Sequence, residues 1–156
     1  EGVRPAVNGG LSVSRVGGAA QTHAMRQVAG QLRLDLAQYR ELQVFAQFSS
    51  DMDASTQEKL HYGELLTEML RQPNNAPLPM STQVALLYVV TRALLPYSAG
   101  MALIRRFKVE FPAYLAESYP HVVSALAEGG QITDAVERDL QGAVAGWLER
   151  AREAQP

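Results

Sequence analysis

The spacing of apolar residues changes from a two-residue period to a helical period near the start of the chain. Leu11 and Val13 alternate with Ser12 and Ser14, which is the pattern of a half-buried strand. After Val16, apolar residues recur mainly at steps of three and four, and this spacing continues through most of the chain. The pattern therefore predicts an all-α bundle of about six to seven helices, preceded by one short strand.

Capping residues and helix breakers divide the helical part into segments. Ser55 and Glu58 have the spacing of a capping box, and Ser81 and Thr133 are expected to cap two later helices. Pro112 falls inside an apolar helical pattern, and we expect a kink or break there because proline has no N–H to donate. The predicted helices cover residues 22–29, 31–48, 55–72, 81–95, 99 to the break at 112, 120–129 and 133 onward.

The apolar residues of these helices predict where the core lies. Val84–Val90 is almost wholly apolar and is expected to be buried on most sides. Trp147 lies on the apolar face of the last helix, where a core position is favoured over a ligand-stacking role. The helix predicted at 31–48 has one apolar face, whose direction turns gradually around the helix axis. This face comprises Leu32, Leu36, Tyr39, Leu42, Phe45 and Ala46.

Composition limits the classes of function. The chain has 156 residues, enough for one domain, and its net charge of −2 argues against nucleic acid as a partner. It contains no cysteine, which excludes disulfides and thiolate chemistry. No apolar run approaches the roughly 18 residues of a membrane-spanning helix, and no signal peptide is recognisable. Because the chain begins at Glu1 without a methionine, we expect it to be a piece of a longer protein.

The sequence has no phosphate-binding loop of its own. The pattern G-x-x-x-x-G-K-[ST] does not occur, and neither Lys59 nor Lys108 follows a glycine-rich loop. Arg105 and Arg106 are predicted to form a solvated helix face. We therefore expect no nucleotide hydrolysis by the chain alone.

A metal site is not expected. The histidines stand far apart in the sequence without cysteines or paired carboxylates at ligand spacing. Asp51 and Asp53 resemble an acid/base or metal pair, but a turn and helix cap is the favoured interpretation. The histidines are His23, His61 and His121.

Arg15 is the first candidate for chemistry. It lies between the predicted strand and Gly17-Gly18, two residues that let another backbone, subunit or ligand approach closely. A guanidinium is always charged and its planar donors match phosphate oxygens. The residues alone leave two interpretations open: an arginine that reaches a phosphate, and an arginine in a salt bridge at a strand end.

Four segments resemble the α subunit of the rotary F-type ATP synthase: RPAVN at 4–8, LSVSRVGGAAQ at 11–21, LAQYREL at 36–42 and FAQFSSDMD at 45–53. The similarity is nearly continuous to about Leu87 and looser from there to Pro156. It implies that residues 1–21 are the edge of a nucleotide-binding α/β domain, with its remnant strand and an arginine-finger loop. Residues 22–156 would then form the C-terminal helical domain.

The resemblance implies a catalytic role for Arg15. In such subunits the matching arginine projects into the catalytic site of the neighbouring β subunit, beside the terminal phosphates of the bound nucleotide. Ser12 matches a position linked to activity and would support the same site. Gly9 departs from the family, which has a bulkier residue there, and this loosens the strand before the arginine.

The resemblance also implies a second, non-catalytic nucleotide site. Gln72 and Asn74 match the polar positions of a loop near the adenine, and Arg4 and Pro5 match the wall of that pocket. Pro73 separates the two polar residues, and Asn74 is one methylene shorter than the glutamine usual there. A rigid loop between helices, with no ligand, is the alternative interpretation.

The resemblance implies that the protein is a structural part of a complex. It would supply one arginine to the site of ATP synthesis or hydrolysis, a reaction coupled to proton transport. The expected partners are β subunits in an alternating hexamer and the central stalk, and the expected cofactor of the intact subunit is ATP or ADP with magnesium. We expect none bound to the fragment. Contact with the membrane would come only through the complex, on the cytoplasmic face of a bacterial inner membrane or its organelle equivalent. The alternative is a free-standing helical interaction module without a catalytic role.

Overall fold

The computed structural model describes residues 6, 14–48, 52–96 and 98–153, and these residues form helices without any strand. The predicted all-α fold is therefore confirmed. The helices are α1 (Arg15–Ala20), α2 (His23–Ala29), α3 (Leu32–Ala46), α4 (Ala54–Leu70), α5 (Met80–Thr91), α6 (Met101–Ser118), α7 (Pro120–Ala127) and α8 (Asp134–Glu153).

The expected strand falls mainly on residues 7–13, which lie outside the described residues. Ser14 has extended backbone angles, with φ −140° and ψ 113°. Arg15 and Val16, expected at the strand end, instead begin helix α1. The reason is local: the Ser14 side chain accepts a hydrogen bond from the Gly17 N–H and so caps the helix.

Helix α5 forms the centre of the fold. Every residue from Val84 to Val90 is at most 7% exposed, as predicted from its apolar sequence. Successive helix residues point about 100° apart, so seven buried neighbours require cover on all sides. That cover comes from α2, α4, α6, α7 and α8, all of which pack on α5.

Aromatic side chains join α6 to α8 beside this centre. The Phe107 and Phe111 rings stack with centroids 4.4 Å apart, and Trp147 meets Phe107 edge-on at 4.9 Å. Trp147 is 2% exposed, which confirms it as a core residue. Arg106 is not simply solvated: its guanidinium lies 5.8 Å from the Trp147 ring centroid and donates to the Ala151 carbonyl at 3.4 Å.

Of the kink or break expected at Pro112, the break does not occur: α6 runs from Met101 through Pro112 to Ser118. Proline removes the hydrogen bond to the carbonyl of Lys108, four residues earlier. The buried residues on either side outweigh this loss, since Phe111 is fully buried and Leu115 is 2% exposed. Packing of that face holds both halves of the helix against the core.

Of the predicted helix caps, Ser55 and Ser81 are wrong, whereas Asp53 and Thr133 are confirmed. The cap of α4 is Asp53, whose carboxylate accepts from the Thr56 N–H at 2.7 Å, and Ser55 lies within the helix. Hydrogen bonds from the Thr56 side chain and from the Thr56 N–H lower the pKa of Asp53, and the bond from the N–H confirms Asp53 as a cap. Ser81 is buried inside α5, which begins one residue earlier without a side-chain cap. Thr133 does cap α8, by accepting from the Val136 N–H at 3.4 Å.

The predicted apolar face of α3 is buried only in part. Leu36 and Tyr39 are buried, but Phe45 is 58% exposed. Phe45 is nine positions after Leu36, and nine steps of about 100° place the two side chains on opposite sides of the helix. Val44 and Phe48 are exposed as well, so the C-terminal end of α3 presents apolar side chains to solvent.

Gly63→Ala is expected to destabilise the fold. A Cβ at Gly63 would lie 2.1 Å from ring atoms of buried Tyr39, so α3 and α4 would have to separate. Overpacking of this kind costs about 1–3 kcal/mol. Urea unfolding of the variant measures the loss.

Gly142→Ala is the matched control. This glycine is also inside a helix, but its Cβ would meet only the end of the Tyr119 side chain, at 3.4 Å. We expect a gain of about 0.5–1 kcal/mol from the better helix former. Equal stabilities for the Gly63 and Gly142 variants would contradict the close packing of α3 on α4.

A hydrogen bond and an ion pair connect α8 to the central helix, α5. The Tyr88 hydroxyl donates to the Glu137 carboxylate at 2.7 Å, and the Arg92 guanidinium lies 3.6 Å from the same carboxylate oxygen. The ring of Tyr88 is buried. Burial and the bond to Glu137 raise the pKa of Tyr88 to about 12.

Tyr88→Phe is expected to change the dependence of stability on pH. A tyrosine in the unfolded chain ionises near pH 10, whereas Tyr88 in the fold keeps its proton to about pH 12. The stabilisation is therefore complete below pH 10 and is lost as pH rises toward 12. The variant should lose about 1–3 kcal/mol at pH 8 and decline less steeply above pH 10, as measured by urea midpoints. Parallel pH curves for both proteins would contradict the assignment.

Candidate functional site

Arg15 occupies the first position of a short exposed helix. No residue of α1 is buried. The Ser14 Oγ accepts from the Gly17 N–H at 2.8 Å, and a Cβ on Gly17 would lie 2.9 Å from that oxygen. The glycine therefore makes room for the cap, which gives it a role within α1 itself. Within the part of the chain that the structure describes, Arg15 forms no ion pair.

The junction after α1 is fixed to the bundle. Thr22 caps α2, and the His23 N–H donates to the Gly129 carbonyl at 3.1 Å, at the turn that follows α7. Gly129 has a φ of +71°, and a Cβ there would meet Thr22 at 2.6 Å, so only glycine fits well. The Gln27 side chain accepts from the Ile132 N–H at 2.7 Å. The start of α2 is thus held by these contacts, while Arg15 in α1 is exposed.

The loop between α4 and α5 carries the other predicted site residues. Gln72 is half-buried and Asn74 is exposed. The next residue, Asn75, has a φ of 56°, in the left-handed region that asparagine tolerates better than most residues. The Gln83 side chain donates to the Leu78 carbonyl at 2.7 Å and so ties the end of the loop to α5. The expected interruption between the helices predicted at 55–72 and 81–95 is confirmed.

Three predicted site residues, Arg4, Pro5 and Ser12, lie outside the described residues. Among the described ones, no hydrogen bond or ion pair joins Arg15 to the loop of Gln72 and Asn74. The helix of Arg15 and this loop are therefore two separate candidate sites.

A charged cluster beside the loop is not predicted from the sequence. The Glu68 carboxylate, 12% exposed, lies 3.0 Å from Arg71 Nη1 and 3.4 Å from Arg105 Nε. The Lys108 Nζ donates to the carbonyls of Glu68, at 2.6 Å, and of Arg71. Burial lowers the pKa of Lys108. Glu68 and Lys108 are 40 positions apart in the sequence, so no local pattern reveals the cluster.

Neither a metal cluster nor a membrane span is found in residues 14–48, 52–96 and 98–153. No group of three or more histidine, aspartate or glutamate side chains there is placed to hold a metal ion. His121 pairs with Asp139 at 2.9 Å on the surface, which is a two-residue contact. None of the helices in those ranges is both long and apolar enough to cross a membrane.

Comparison with known proteins gives one consistent result. The family model described as "ATP synthase alpha/beta chain, C terminal domain" matches residues 21–147. The protein is 50% identical over 148 residues to ATP synthase subunit alpha of Desulfovibrio desulfuricans, a match that includes 95% of the sequence. It is 46% identical over 147 residues to the same subunit of Petrotoga mobilis, with 94% of the sequence matched. In both cases the match spans 29% of the relative's length.

Ser14→Ala is expected to reduce the helix content of α1. A helix of six residues is marginal without its cap, and loss of a serine cap costs about 1 kcal/mol. The Cα chemical shifts of residues 15–20 should move toward coil values. Thr22→Ala is the control, because it removes the cap of α2 and should leave those shifts in place. Unchanged α1 shifts in the Ser14 variant would show that the cap does not hold the helix.

Proposed function

This protein belongs to the family of C-terminal domains of ATP synthase alpha and beta subunits, and from that membership we propose that it acts within an F-type ATP synthase alpha subunit. In this role it is a structural part without catalytic activity of its own. It supplies Arg15 in trans to the catalytic site of a neighbouring beta subunit, where ATP is made or hydrolysed.

The exposure of Arg15 is the observation that carries this proposal. A finger residue must leave its own domain to reach a phosphate in another subunit. Arg15 lies on a helix that buries none of its residues, and it has no ion pair within the described residues that would have to break first. The Ser14 cap orders the helix that carries Arg15, and the chain after that helix is fixed to the bundle where α2 begins, by the bond from His23 to Gly129.

The chemistry of phosphoryl transfer explains why arginine would be used. Negative charge spreads over the oxygens of the moving phosphoryl group, and a planar guanidinium can donate two parallel hydrogen bonds to them. Lysine keeps the charge but loses this fork. Ser12 would support the same site from the preceding segment. Energy from proton transport would reach it through the central stalk of the complex.

A second part of the proposal concerns a non-catalytic nucleotide site at Gln72 and Asn74. Side-chain amides both donate and accept hydrogen bonds, as the edge of adenine requires. Arg4 and Pro5 would complete the wall of this pocket, and ATP or ADP with magnesium would be its ligand in the complete subunit. The loop is tied down at both ends, which suits a preformed base site.

The proposed partners are beta subunits, alternating with alpha subunits in a hexamer, and the central stalk. Attachment to the membrane would be indirect and on the cytoplasmic side, or its equivalent in an organelle. A free-standing helical interaction module is the second candidate function, and one observation favours it. The end of α3 exposes Phe45 and Phe48, the latter at 84%, as a docking surface would.

Arg15→Lys in the complete complex is expected to lower multisite ATP turnover by orders of magnitude. Loss of an arginine finger costs about 10³ to 10⁵ in rate in related phosphoryl-transfer systems, and lysine recovers little of it because it lacks the fork. Phosphate release under saturating ATP measures turnover, and native mass spectrometry checks that the complex still assembles.

Arg33→Lys is the matched control for this experiment. Arg33 is an exposed arginine in α3 for which the described residues provide no ion pair. Its replacement should leave turnover unchanged. Full turnover in the assembled Arg15 variant would refute the catalytic role and favour the interaction module.

A further inference from the structure

The C-terminus of α4 is held by a side chain from a distant helix. The last carbonyls of any helix lack partners within that helix. At the end of α4, the carbonyls of Glu68 and Arg71 both accept hydrogen bonds from Lys108 Nζ of α6. A lysine at this place also faces the negative end of the helix dipole. Lys108 therefore acts as a C-cap supplied from outside α4.

The segment of α6 that carries Lys108 is held in place by the core. Its neighbour Phe107 is fully buried, and so is Phe111 one turn further along α6. On the other side, Leu66 and Met69 fix the last turn of α4 in the core, at 0% and 3% exposure. Lys108 thus connects two elements whose positions the core determines.

Within this charged cluster, the hydrogen bonds of Lys108 go to backbone carbonyl oxygens. The Glu68 carboxylate is occupied by Arg71 and Arg105, whereas Lys108 donates to main-chain oxygens. The Glu68 oxygen lies in the last turn of α4. The Arg71 oxygen belongs to the residue before Gln72, where the loop begins. Attraction to the Glu68 carboxylate alone therefore does not account for the placement of Lys108.

The backbone conformation at Arg71 affects the positions of the proposed base-binding residues, Gln72 and Asn74, which follow it in the chain. Arg71 is extended, with φ −65° and ψ 135°. Gln72 precedes a proline and so is restricted to extended conformations. Pro73 has its own φ fixed by the ring. Rotation is therefore restricted at Gln72 and Pro73, the two residues between the Lys108 contact and Asn74.

We propose that Lys108 is a positioning residue for the adenine-binding loop, which it orients by capping α4 at Glu68 and Arg71. This inference rests on the proposed nucleotide site at Gln72 and Asn74. Lys108 does not touch the nucleotide; it acts through the backbone that carries those two side chains.

Lys108→Met in the complete alpha subunit tests this. Methionine keeps the apolar stem and removes the donors. We expect the affinity for Mg-ADP to fall about tenfold, as loss of one well-placed hydrogen bond would cause, and the preference for ADP over GDP to fall with it. The backbone amide shifts of Gln72 and Asn74 should change in the same variant. Lys108→Arg should restore both, because a guanidinium can also donate to two carbonyls.

Arg105→Met is the matched control, because it removes a cation from the same cluster that pairs with the Glu68 side chain. The preference of this variant for ADP over GDP, and the backbone amide shifts of its Gln72 and Asn74, should match those of the wild type. A general loss of stability would lower the melting temperature without altering the ADP-to-GDP preference, and that result in Lys108→Met would overturn the proposal. Lys108→Gln, which is shorter, gives the same test if the methionine variant does not fold.

The two proposals fail in different ways. Unchanged base preference and unchanged loop shifts in Lys108→Met, together with weakened ADP binding in Gln72→Ala, would refute the role of Lys108 alone. ADP binding that does not depend on Gln72 would refute the nucleotide site and the positioning role with it.

Discussion

The fold depends on the burial of one helix from every direction. Val84 to Val90 of α5 have no face left for solvent, so the surrounding helices must take the positions that cover them. The apolar area removed from water there provides the main driving force for their association. One polar side chain enters this centre, and its hydroxyl is satisfied: Tyr88 donates to Glu137. The elements that carry the two candidate sites take their positions from this arrangement.

The two candidate sites are joined to the core differently, and the difference fits their proposed roles. The loop of Gln72 and Asn74 is tied at its start by Lys108 and at its end by Gln83. A base-binding loop gains from this preorganisation, since less order has to be imposed when the ligand binds. Helix α1 buries none of its residues, Arg15 is exposed, and the chain after α1 is fixed to the bundle at His23. A residue used by a neighbouring subunit needs such freedom until that subunit completes the site.

Patterns local in sequence predict much of the fold, whereas contacts between distant residues escape them. The apolar run of α5, the interruption between α4 and α5, the Thr133 cap and the role of Trp147 follow from neighbouring residues. The helix is not broken at Pro112 because tertiary packing of Phe111 outweighs one lost hydrogen bond. Phe45 is exposed because the apolar face of α3 drifts around the helix beyond the part that α4 covers.

The candidate sites show the same division. Lys108 has no signal in the sequence, since folding alone brings it near its partners at Glu68 and Arg71. Arg15 is indicated by its residue type and by resemblance, because the six exposed residues of α1 carry no packing signal.

Native-state hydrogen exchange tests most directly the claim that α5 is the common support of the bundle. The amides of residues 84–90 should exchange only through global unfolding, with a free energy equal to that from urea unfolding of the same protein. The amides near the end of α1 should exchange far faster, because none of its residues is buried. Exchange of the α5 amides at a lower free energy than those of α8 would contradict the claim, since the central helix would then open before the helices that cover it.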